Sequence, residues 1–142
     1  MDMEIDVGLW DEASGADFAA REWGTYNEEH GVDWSPSALR LVARVGGTPA
    51  GMAAFVLNGG LAELRELLVA RPFAGQGVGS RLIAEFEDHA RRARCHKTRL
   101  ETADYQARPF YERHGYHVEA VLERDRFERT WYVMSKTLGA AG

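Results

Sequence analysis

The fold is decided by the stretch ELRELLVARPFAGQGVGSRL, residues 63–82. Its apolar first half predicts a β-strand, and the residues from Leu82 onward predict a long helix. Between the two, Gly75, Gly77 and Gly79 remove side chains, so backbone N–H groups point outward at the positive end of the helix dipole. Amides in this arrangement favour a phosphate or pyrophosphate. We therefore expect the turn to hold the pyrophosphate of a nucleotide-containing cofactor.

The properties of the whole chain exclude several classes of protein. Its 142 residues, of which 45% are hydrophobic, predict a single domain over residues 1–142. The net charge of −5 disfavours a general nucleic-acid binder. The single cysteine, Cys95, excludes an intrachain disulfide, and the histidines show no metal-ligand spacing, so we expect no metal. The chain shows neither a membrane-spanning run nor a signal peptide, which predicts a cytoplasmic protein without a membrane partner.

The first quarter of the chain predicts one strand and two helices. Residues 4–9 alternate polar and apolar side chains, which is typical of a strand. Ser14 is the predicted cap of a helix that reaches Trp23 and is interrupted at Gly24. Residues 26–30 predict a second, short helix.

The remainder predicts an alternation of strands and helices. Strands are expected at residues 39–45, 50–57, 61–69, 98–102, 116–122 and 131–137. The long helix after the glycine turn is amphipathic, with Leu82, Ile83 and Phe86 inward and Glu85 and Glu87 mostly outward. A short helix is expected at residues 107–114. This order predicts one mixed α/β domain, whose last strand is a candidate edge for a homodimer.

The glycine turn by itself fits three kinds of nucleotide site. A P-loop requires Lys followed by Ser or Thr after the last glycine, and Ser80 and Arg81 do not supply them. The dinucleotide fingerprint is G-x-G-x-x-G after the first strand of a βαβ unit, whereas this chain has G-x-G-x-G after antiparallel hairpins. The third kind depends on a second motif downstream.

The second motif is DYQARPFYERHGY, which begins at Asp104. It resembles the motif N-x-x-A-x-x-[LF]-Y-x-x-x-G-[FY] of the GNAT superfamily of N-acyltransferases. The residues in register are Ala107, Phe110, Tyr111, Gly115 and Tyr116.

The first motif resembles the same superfamily. The segment LLV at residues 67–69, followed by GQGVG at residues 75–79, is similar to its acyl-CoA-binding motif, and the order of elements matches over residues 5–138. The resemblance implies a single-domain α/β fold of the α+β type. Its central sheet is mixed, mostly antiparallel and splayed between the fourth and fifth strands, with about four flanking helices.

The resemblance also implies an acetyl-CoA-dependent N-acetyltransferase, in which a primary amine of a small molecule or peptide attacks the thioester directly. Tyr111 matches the position whose phenol protonates the departing CoA thiolate. The backbone of residues 67–69 would bind the pantetheine arm and polarise the thioester carbonyl, and the amides of residues 74–80 would bind the pyrophosphate. The residues implied in acetyl-CoA binding are Leu67, Leu68, Val69, Ala74, Gly75, Gln76, Gly77, Val78, Gly79, Ser80, Asp104 and Ala107.

Two positions depart from the superfamily pattern. Ala74 stands where Gln or Arg is usual, so one side-chain contact to the phosphates is missing while the backbone amides remain. Asp104 stands where Asn is usual and brings a negative charge toward CoA. Arg71 and Arg81 are candidates to compensate for Ala74. The change at Ala74 supports an alternative of another class, a non-catalytic acyl-CoA-binding or regulatory module, whereas the retained Tyr111 indicates an enzyme.

The general base is open between Glu63 and Glu66, which the resemblance places beside the thioester. Period-2 alternation puts the two carboxylates on opposite faces of the strand, with Arg65 on the face of Glu63, where the two can form a cross-strand pair. Each glutamate is a candidate base or ammonium anchor, and a salt-bridged carboxylate or a water-mediated base is equally open. Glu66 is ranked first. The acceptor pocket is expected from the N-terminal helices, the loop around Trp34 and the connection 123–129, where no residue identifies the substrate.

Overall fold

A computed structural model describes residues 3–139, in two compact units that divide between Trp34 and Ser35. The first unit contains α1 (Glu12–Glu29), whose N-cap is Asp11. The carboxylate of Asp11 accepts a hydrogen bond from the Ser14 amide at 2.9 Å, which satisfies one of the free N–H groups of the first turn. The predicted cap at Ser14 is therefore wrong, since Ser14 is the residue that is capped.

Two further predictions for the first unit are wrong. α1 runs through Gly24 without interruption and absorbs the separate helix at residues 26–30, because one glycine inside a helix costs only about 1 kcal/mol relative to alanine. Residues 4–9 have no regular structure, and Val7 is 93% exposed. Alternation does not make a strand by itself, because the backbone N–H and C=O groups also need a partner strand.

The second unit is a six-stranded sheet with two helices. Its strands are β1 (Ser37–Val45), β2 (Thr48–Asn58), β3 (Leu61–Val69), β4 (Lys97–Ala103), β5 (His117–Leu122) and β6 (Trp131–Thr137). Its helices are α2 (Val78–Arg92) and α3 (Arg108–Arg113), with 3-10 turns at Arg71–Phe73 and Arg126–Glu128. These strands and helices confirm the predicted elements. Three α-helices lie within residues 3–139 instead of about four, and none of them is long and apolar enough to cross a membrane.

The strand order is β1-β2-β3-β4-β6-β5, and the described neighbours are antiparallel apart from β3 and β4. This confirms the mixed, mostly antiparallel sheet. β6 lies between β4 and β5, so its backbone groups are paired on both sides. The predicted dimer edge at β6 is therefore wrong, and the edges of this sheet are β1 and β5.

β3 and β4 are paired along only part of their length. The parallel register starts with Leu61 beside Lys97 and ends with Leu64 beside Leu100. Beyond that point β3 continues to pair with β2 as far as Val69, so the opposite edge of β3 has no strand beside it. The predicted splay is confirmed and opens a cleft in the sheet. The strands expected as fourth and fifth are β3 and β4 here, because the expected first strand at residues 4–9 is absent.

A β-bulge at Arg65 resets the side-chain alternation of β3. The register with β2 shifts between Ala54 and Phe55, which leaves Arg65 as an extra residue. Glu66 pairs with Ala54, and Glu63 pairs with the β2 residue two positions further on, so the two glutamates lie on the same face. The prediction that they lie on opposite faces is wrong, because it assumed an unbroken alternation of side chains from Glu63 to Glu66, which the bulge at Arg65 interrupts.

α2 packs on β1, β2 and β3, and the ring of Phe86 meets Phe55 of β2 at a centroid distance of 4.9 Å. Glu87 of α2 is buried, so its predicted outward position is wrong. Its carboxylate accepts hydrogen bonds from Lys136 Nζ at 2.9 Å and from Tyr116 Oη at 3.0 Å. These partners offset the cost of burying the charge and tie α2 to β6 and to the turn between α3 and β5.

Candidate active site

The diverging ends of β3 and β4 enclose a cleft of about 370 Å³. Glu66, Leu67 and Leu68 line it from β3, and Tyr111 lines it from α3. Residues 67–69 are paired with β2 on one side only. The N–H and C=O groups on their open edge can hydrogen-bond an extended chain that carries amides, as an added strand would.

Tyr111 presents a phenol to this cleft. Its ring meets Phe110 at a centroid distance of 5.2 Å and Tyr116 at 5.9 Å, and its side chain is 8% exposed. Its hydroxyl has no hydrogen-bond partner within residues 3–139. Burial raises the pKa of Tyr111 to about 12, so the phenol holds its proton at neutral pH. It can therefore donate a hydrogen bond to a ligand and act as a general acid toward a strong base.

The glycine turn leads into the N-terminus of α2. Gly77 is the N-cap with φ +84°, a conformation that strains other residues, and no side chain caps this helix. The N–H groups of the first turn lack acceptors inside the helix and are available to an anion. Gly79 lies close to α3, since a Cβ there would be 3.4 Å from the Phe110 ring, and Ser80 Oγ is 3.1 Å from His114 Nε2. The donors, the dipole and the small side chains of this turn fit a pyrophosphate.

Ala74 leaves its position in the turn without a polar side chain. Its N–H bonds to the carbonyl of Arg71 at 3.1 Å, within the 3-10 turn that precedes the glycines. Arg81 lines a groove of about 580 Å³ together with Gln76 and Gly77. Arg81 therefore borders the same groove as the glycine turn.

Asp104 is paired with a cation. Its Oδ1 accepts a hydrogen bond from Arg129 Nη1 at 3.0 Å, and the guanidinium of Arg129 lies 4.8 Å from the ring centroid of Tyr105. The negative charge expected toward CoA is therefore balanced within the fold. Between residues 3 and 139, no group of three or more His, Cys, Asp or Glu side chains is placed to hold a metal ion.

Glu66 and Glu63 have different surroundings on their shared face. Glu66 lines the cleft, and Arg40 is 3.9 Å from its carboxylate. Glu63 accepts from Arg99 Nη2 at 3.1 Å and also forms an ion pair with Arg65. The predicted pairing of Arg65 with Glu63 is confirmed, although it forms along one strand and not across strands. Glu66 is the carboxylate with fewer partners and hence the better placed to accept a proton.

A second cavity, of about 440 Å³, adjoins the cleft, and of the segments expected to form the acceptor pocket only the connection 123–129 contributes to its lining, through Arg126. The two share four wall residues at the end of the β3–β4 pairing, namely Leu64, Arg65, Leu100 and Glu101. The other residues of this second cavity are Glu63, Arg99, Arg126, Trp131 and Val133. One signal was present in the sequence, because Arg99 and Glu101 flank Leu100 and so place two charges on one face of β4.

Comparisons with known proteins match both the sequence and the fold. The profile of the acetyltransferase (GNAT) family matches residues 8–116, a range that contains the glycine turn, the open edge of β3 and Tyr111. A curated relative, an IAA acetyltransferase of Azospirillum brasilense, is 38% identical over 74 residues, which are 51% of this chain and 48% of the relative. The match thus spans about half the length of that relative.

Solved structures share the architecture. An acetyltransferase from Bacillus cereus ATCC 14579 gives a TM-score of 0.82 at 22% identity, over 94% of this chain and 98% of that one. A Bacillus anthracis str. Ames protein in complex with acetyl coenzyme A gives a TM-score of 0.68 at 20% identity, over 74% of this chain and 65% of that one. At identities this low, the likeness shows a common fold.

Proposed function

Because the chain belongs to the acetyltransferase (GNAT) family, we propose that it is an N-acetyltransferase that transfers the acetyl group of acetyl-CoA to a primary amine of a small molecule or peptide. One observation carries the proposal, namely that the open edge of β3 and the phenol of Tyr111 share one cleft. The edge suits an amide-containing chain that ends in a thioester, and the phenol suits the thiolate that leaves it.

In this proposal acetyl-CoA extends from the glycine turn to the cleft. The amides of residues 75–80 bind the pyrophosphate at the positive end of the α2 dipole, while the expected contribution of the Ala74 amide is replaced by its bond to the Arg71 carbonyl. The backbone of residues 67–69 binds the pantetheine arm. Ala107, just before α3, lines the cleft. The residues proposed to contact acetyl-CoA are Leu67, Leu68, Val69, Ala74, Gly75, Gln76, Gly77, Val78, Gly79, Ser80, Asp104 and Ala107.

The proposed reaction is a direct displacement. The amine nitrogen attacks the thioester carbonyl carbon, a C–N bond forms, and the C–S bond breaks. Glu66 accepts the proton of the amine, directly or through water, with Glu63 as the second candidate, and Tyr111 donates a proton to the thiolate. Backbone N–H groups of residues 67–69 stabilise the oxyanion. Because the thiolate forms in the same desolvated cleft, its proton affinity rises together with that of the phenolate, so the burial of Tyr111 does not by itself oppose the transfer.

A second candidate function is a non-catalytic acyl-CoA-binding or regulatory module. The observation in its favour is Ala74, which leaves the phosphate turn with backbone donors and no polar side chain at that position. Tyr111 weighs against it, because a buried phenol without a hydrogen-bond partner in the described region has no evident role in a purely binding module.

Thermal melting with and without acetyl-CoA, followed by thiol release across a panel of amines, tests both candidates. We expect millimolar acetyl-CoA to raise the melting temperature, because a ligand that binds only the folded state stabilises it. We also expect at least one amine to release free thiol. Stabilisation without thiol release from any amine favours the binding module, and the absence of stabilisation contradicts both candidates.

We further propose that residues 1–142 act as one acetyltransferase domain, since the family match begins in the first compact unit and ends in the second. A cytoplasmic location and a homodimeric state stay predictions from the sequence.

A further inference from the structure

The second cavity carries more positive than negative side chains. Three arginines line it, Arg65, Arg99 and Arg126, against two glutamates, Glu63 and Glu101. The chain as a whole has a net charge of −5, so this cavity differs in sign from the protein around it. A ligand in the cavity interacts mainly with the charges of the residues that line it, because solvent and salt screen the distant surface charges of the chain.

Among the residues that line the cavity, the excess charge is located at Arg65 and Arg99, because the two share the carboxylate of Glu63, while Glu119, outside the lining, also attracts Arg99. Arg99 Nη2 lies 3.1 Å from Glu63 Oε2, and Arg65 contacts the other oxygen of Glu63. A guanidinium has five N–H donors, so this single contact leaves most donors of each arginine unused. The bulge at Arg65 belongs to the same arrangement, since it adds a residue to β3 beside the Glu63–Arg99 pair.

Arg126 is balanced and held in place. Its Nη2 donates to Glu101 Oε2 at 2.8 Å, and its guanidinium lies 4.0 Å from the ring centroid of Trp131. The indole Nε1 of Trp131 in turn donates to the Arg126 carbonyl at 3.0 Å. Arg126 also lies 3.8 Å from the carboxylate of Asp125, so its charge is fully compensated beside an aromatic wall, and the arginines with donors to spare in this cavity are Arg65 and Arg99.

We propose that this cavity binds the acceptor and selects amines that carry a carboxylate, as a free amino acid does. The carboxylate binds between Arg65 and Arg99, whose planar forks match its geometry. The amine then reaches toward Leu64 and Leu100, where the cavity joins the cleft. A volume of about 440 Å³ accommodates a molecule of amino-acid size. The proposal rests on the proposed function, because the cleft is the place where the thioester would lie.

The proposal excludes acceptor amines that carry no anionic group. A polyamine or a simple alkylamine offers no anion to Arg65 and Arg99, and its ammonium groups would meet the excess positive charge. The two classes are therefore separated by one chemical group, and matched pairs of ligands can compare them directly.

Calorimetric titration of the full chain in the presence of CoA tests the selection without requiring transfer. The probes are phenylalanine with phenethylamine, leucine with isoamylamine, and histidine with histamine, where each amine lacks only the carboxylate. We expect at least one amino acid to bind about tenfold more tightly than its amine, as a charge-assisted contact predicts. Equal binding within every pair, tighter binding of the amines, or no binding of any amino acid at millimolar concentration overturns the proposal.

Three variants assign the effect to the arginines. Arg99→Gln and, independently, Arg65→Gln should weaken binding of the amino acid about tenfold and change binding of the matched amine less than about twofold. Arg92→Gln is the matched control, because Arg92 is an exposed arginine of α2 that pairs with Glu85 at 3.6 Å, and it should change neither ligand. Equal weakening of both ligands by either cavity variant contradicts a carboxylate site.

Thiol release is measured separately with the same ligands. Selective binding of amino acids without thiol release from any of them leaves the carboxylate site standing and counts against the proposed transfer. Thiol release that is equally efficient with both members of every pair supports the transfer and overturns the carboxylate site.

Discussion

Tyr111 is buried, and its hydroxyl has no hydrogen-bond partner among the residues that the structure describes. No fully buried side-chain oxygen or nitrogen of the described residues lacks a hydrogen-bond partner, so the unpaired hydroxyl of Tyr111 keeps solvent contact at the cleft that this residue lines. We interpret the missing partner as the sulfur of the proposed acetyl-CoA.

We predict that Tyr111→Phe lowers kcat about 100-fold or more, because general acid catalysis contributes that much in other enzymes. The affinity for acetyl-CoA should change less than about twofold, since the ring and its packing are kept. Steady-state thiol release gives kcat, and melting-temperature shifts give the affinity. Tyr105→Phe is the control, because Tyr105 is an exposed neighbour in the same motif. An unchanged kcat in Tyr111→Phe would remove the general acid from the mechanism.

We predict that Glu66→Gln lowers kcat/KM about 100-fold near neutral pH. The deficit should shrink as the pH approaches the pKa of the acceptor amine, because an amine that is already neutral needs no base. Glu63→Gln should act mainly on the KM of the acceptor, since Glu63 is engaged by Arg65 and Arg99. pH profiles of kcat/KM for both variants separate these effects. Wild-type values in both variants at neutral pH would show that neither carboxylate is the base.

At the scale of residues, the sequence predicted the parts of the site whose residues lie in one contiguous segment. The glycine turn and the helix that carries Tyr111 are contiguous segments, so local sequence patterns located both, while the resemblance implied the roles of their residues. The second cavity was predicted only at the connection 123–129, which contains Arg126. Arg99 and Trp131 were missed because they come from β4 and β6, which meet only through strand order. The order of strands in the sheet cannot be predicted from the local sequence pattern of a single segment.

At the scale of elements, the bulge in β3 shows where a pattern is insufficient. A bulge depends on the register with the partner strand, and the segment around Arg65 contains no glycine or proline to mark it. The consequence is large, since it moves Glu66 onto the face of Glu63. The absent strand at residues 4–9 has the same cause, because a strand exists only together with a partner.

The glycine turn permits a test by gain of function. We predict that Ala74→Gln tightens acetyl-CoA binding about fivefold, because an added amide can donate to a phosphate oxygen. The backbone accepts the change without strain, since Ala74 has φ −62° and ψ 145°. Ala74→Leu is the matched control, similar in size and without a donor, and should not tighten binding. Calorimetric titration with acetyl-CoA measures both, and equal affinities of the two variants would show that the turn works through its backbone alone.

The ion pair between Glu87 and Lys136 joins α2 to β6. We predict that Lys136→Met lowers the free energy of unfolding by about 3 kcal/mol, because it leaves the buried carboxylate of Glu87 without its nearest cation. The double variant Glu87→Gln with Lys136→Met should recover more than half of the loss. Urea unfolding measures the difference, with Arg92→Gln as an exposed control near zero. A loss as large in the double variant as in the single one would mean that packing, and not charge, is responsible.

At the scale of the whole molecule, the order of strands and helices followed from the sequence more fully than their arrangement. Hairpin glycines and alternating periods identified the six strands, and the resemblance supplied the splay. The sequence predicted the bounds of β6 but not its position inside the sheet. The last strand in the sequence is not the last strand in the sheet, because β5 pairs on the outer side of β6. Edge strands are therefore a property of the complete sheet, and a dimer contact has to be sought at β1 or β5.

The stability of the molecule at alkaline pH should report the buried phenols. Burial raises the pKa of Tyr111 to about 12 and raises the pKa of Tyr116 as well, because a desolvated phenolate is unfavourable. In the unfolded chain both phenols ionise near about pH 10. Above that pH the unfolded state has lost protons that the folded state keeps, so the free energy of unfolding falls as the pH rises.

We predict that this alkaline slope is less steep in Tyr111→Phe, by about 1.4 kcal/mol per pH unit between about pH 10 and pH 12, because one linked proton is removed. Tyr111 is the suitable phenol for this comparison, since its hydroxyl has no partner in the described structure whose loss would confuse the result. Below about pH 9 the two slopes should coincide, because both phenols are then neutral in either state. Urea unfolding across this range measures the slopes, and Tyr105→Phe is the exposed control. Equal slopes in wild type and Tyr111→Phe above about pH 10 would mean that the cleft is wetter than its burial implies, and the proposed general acid would then have an ordinary pKa.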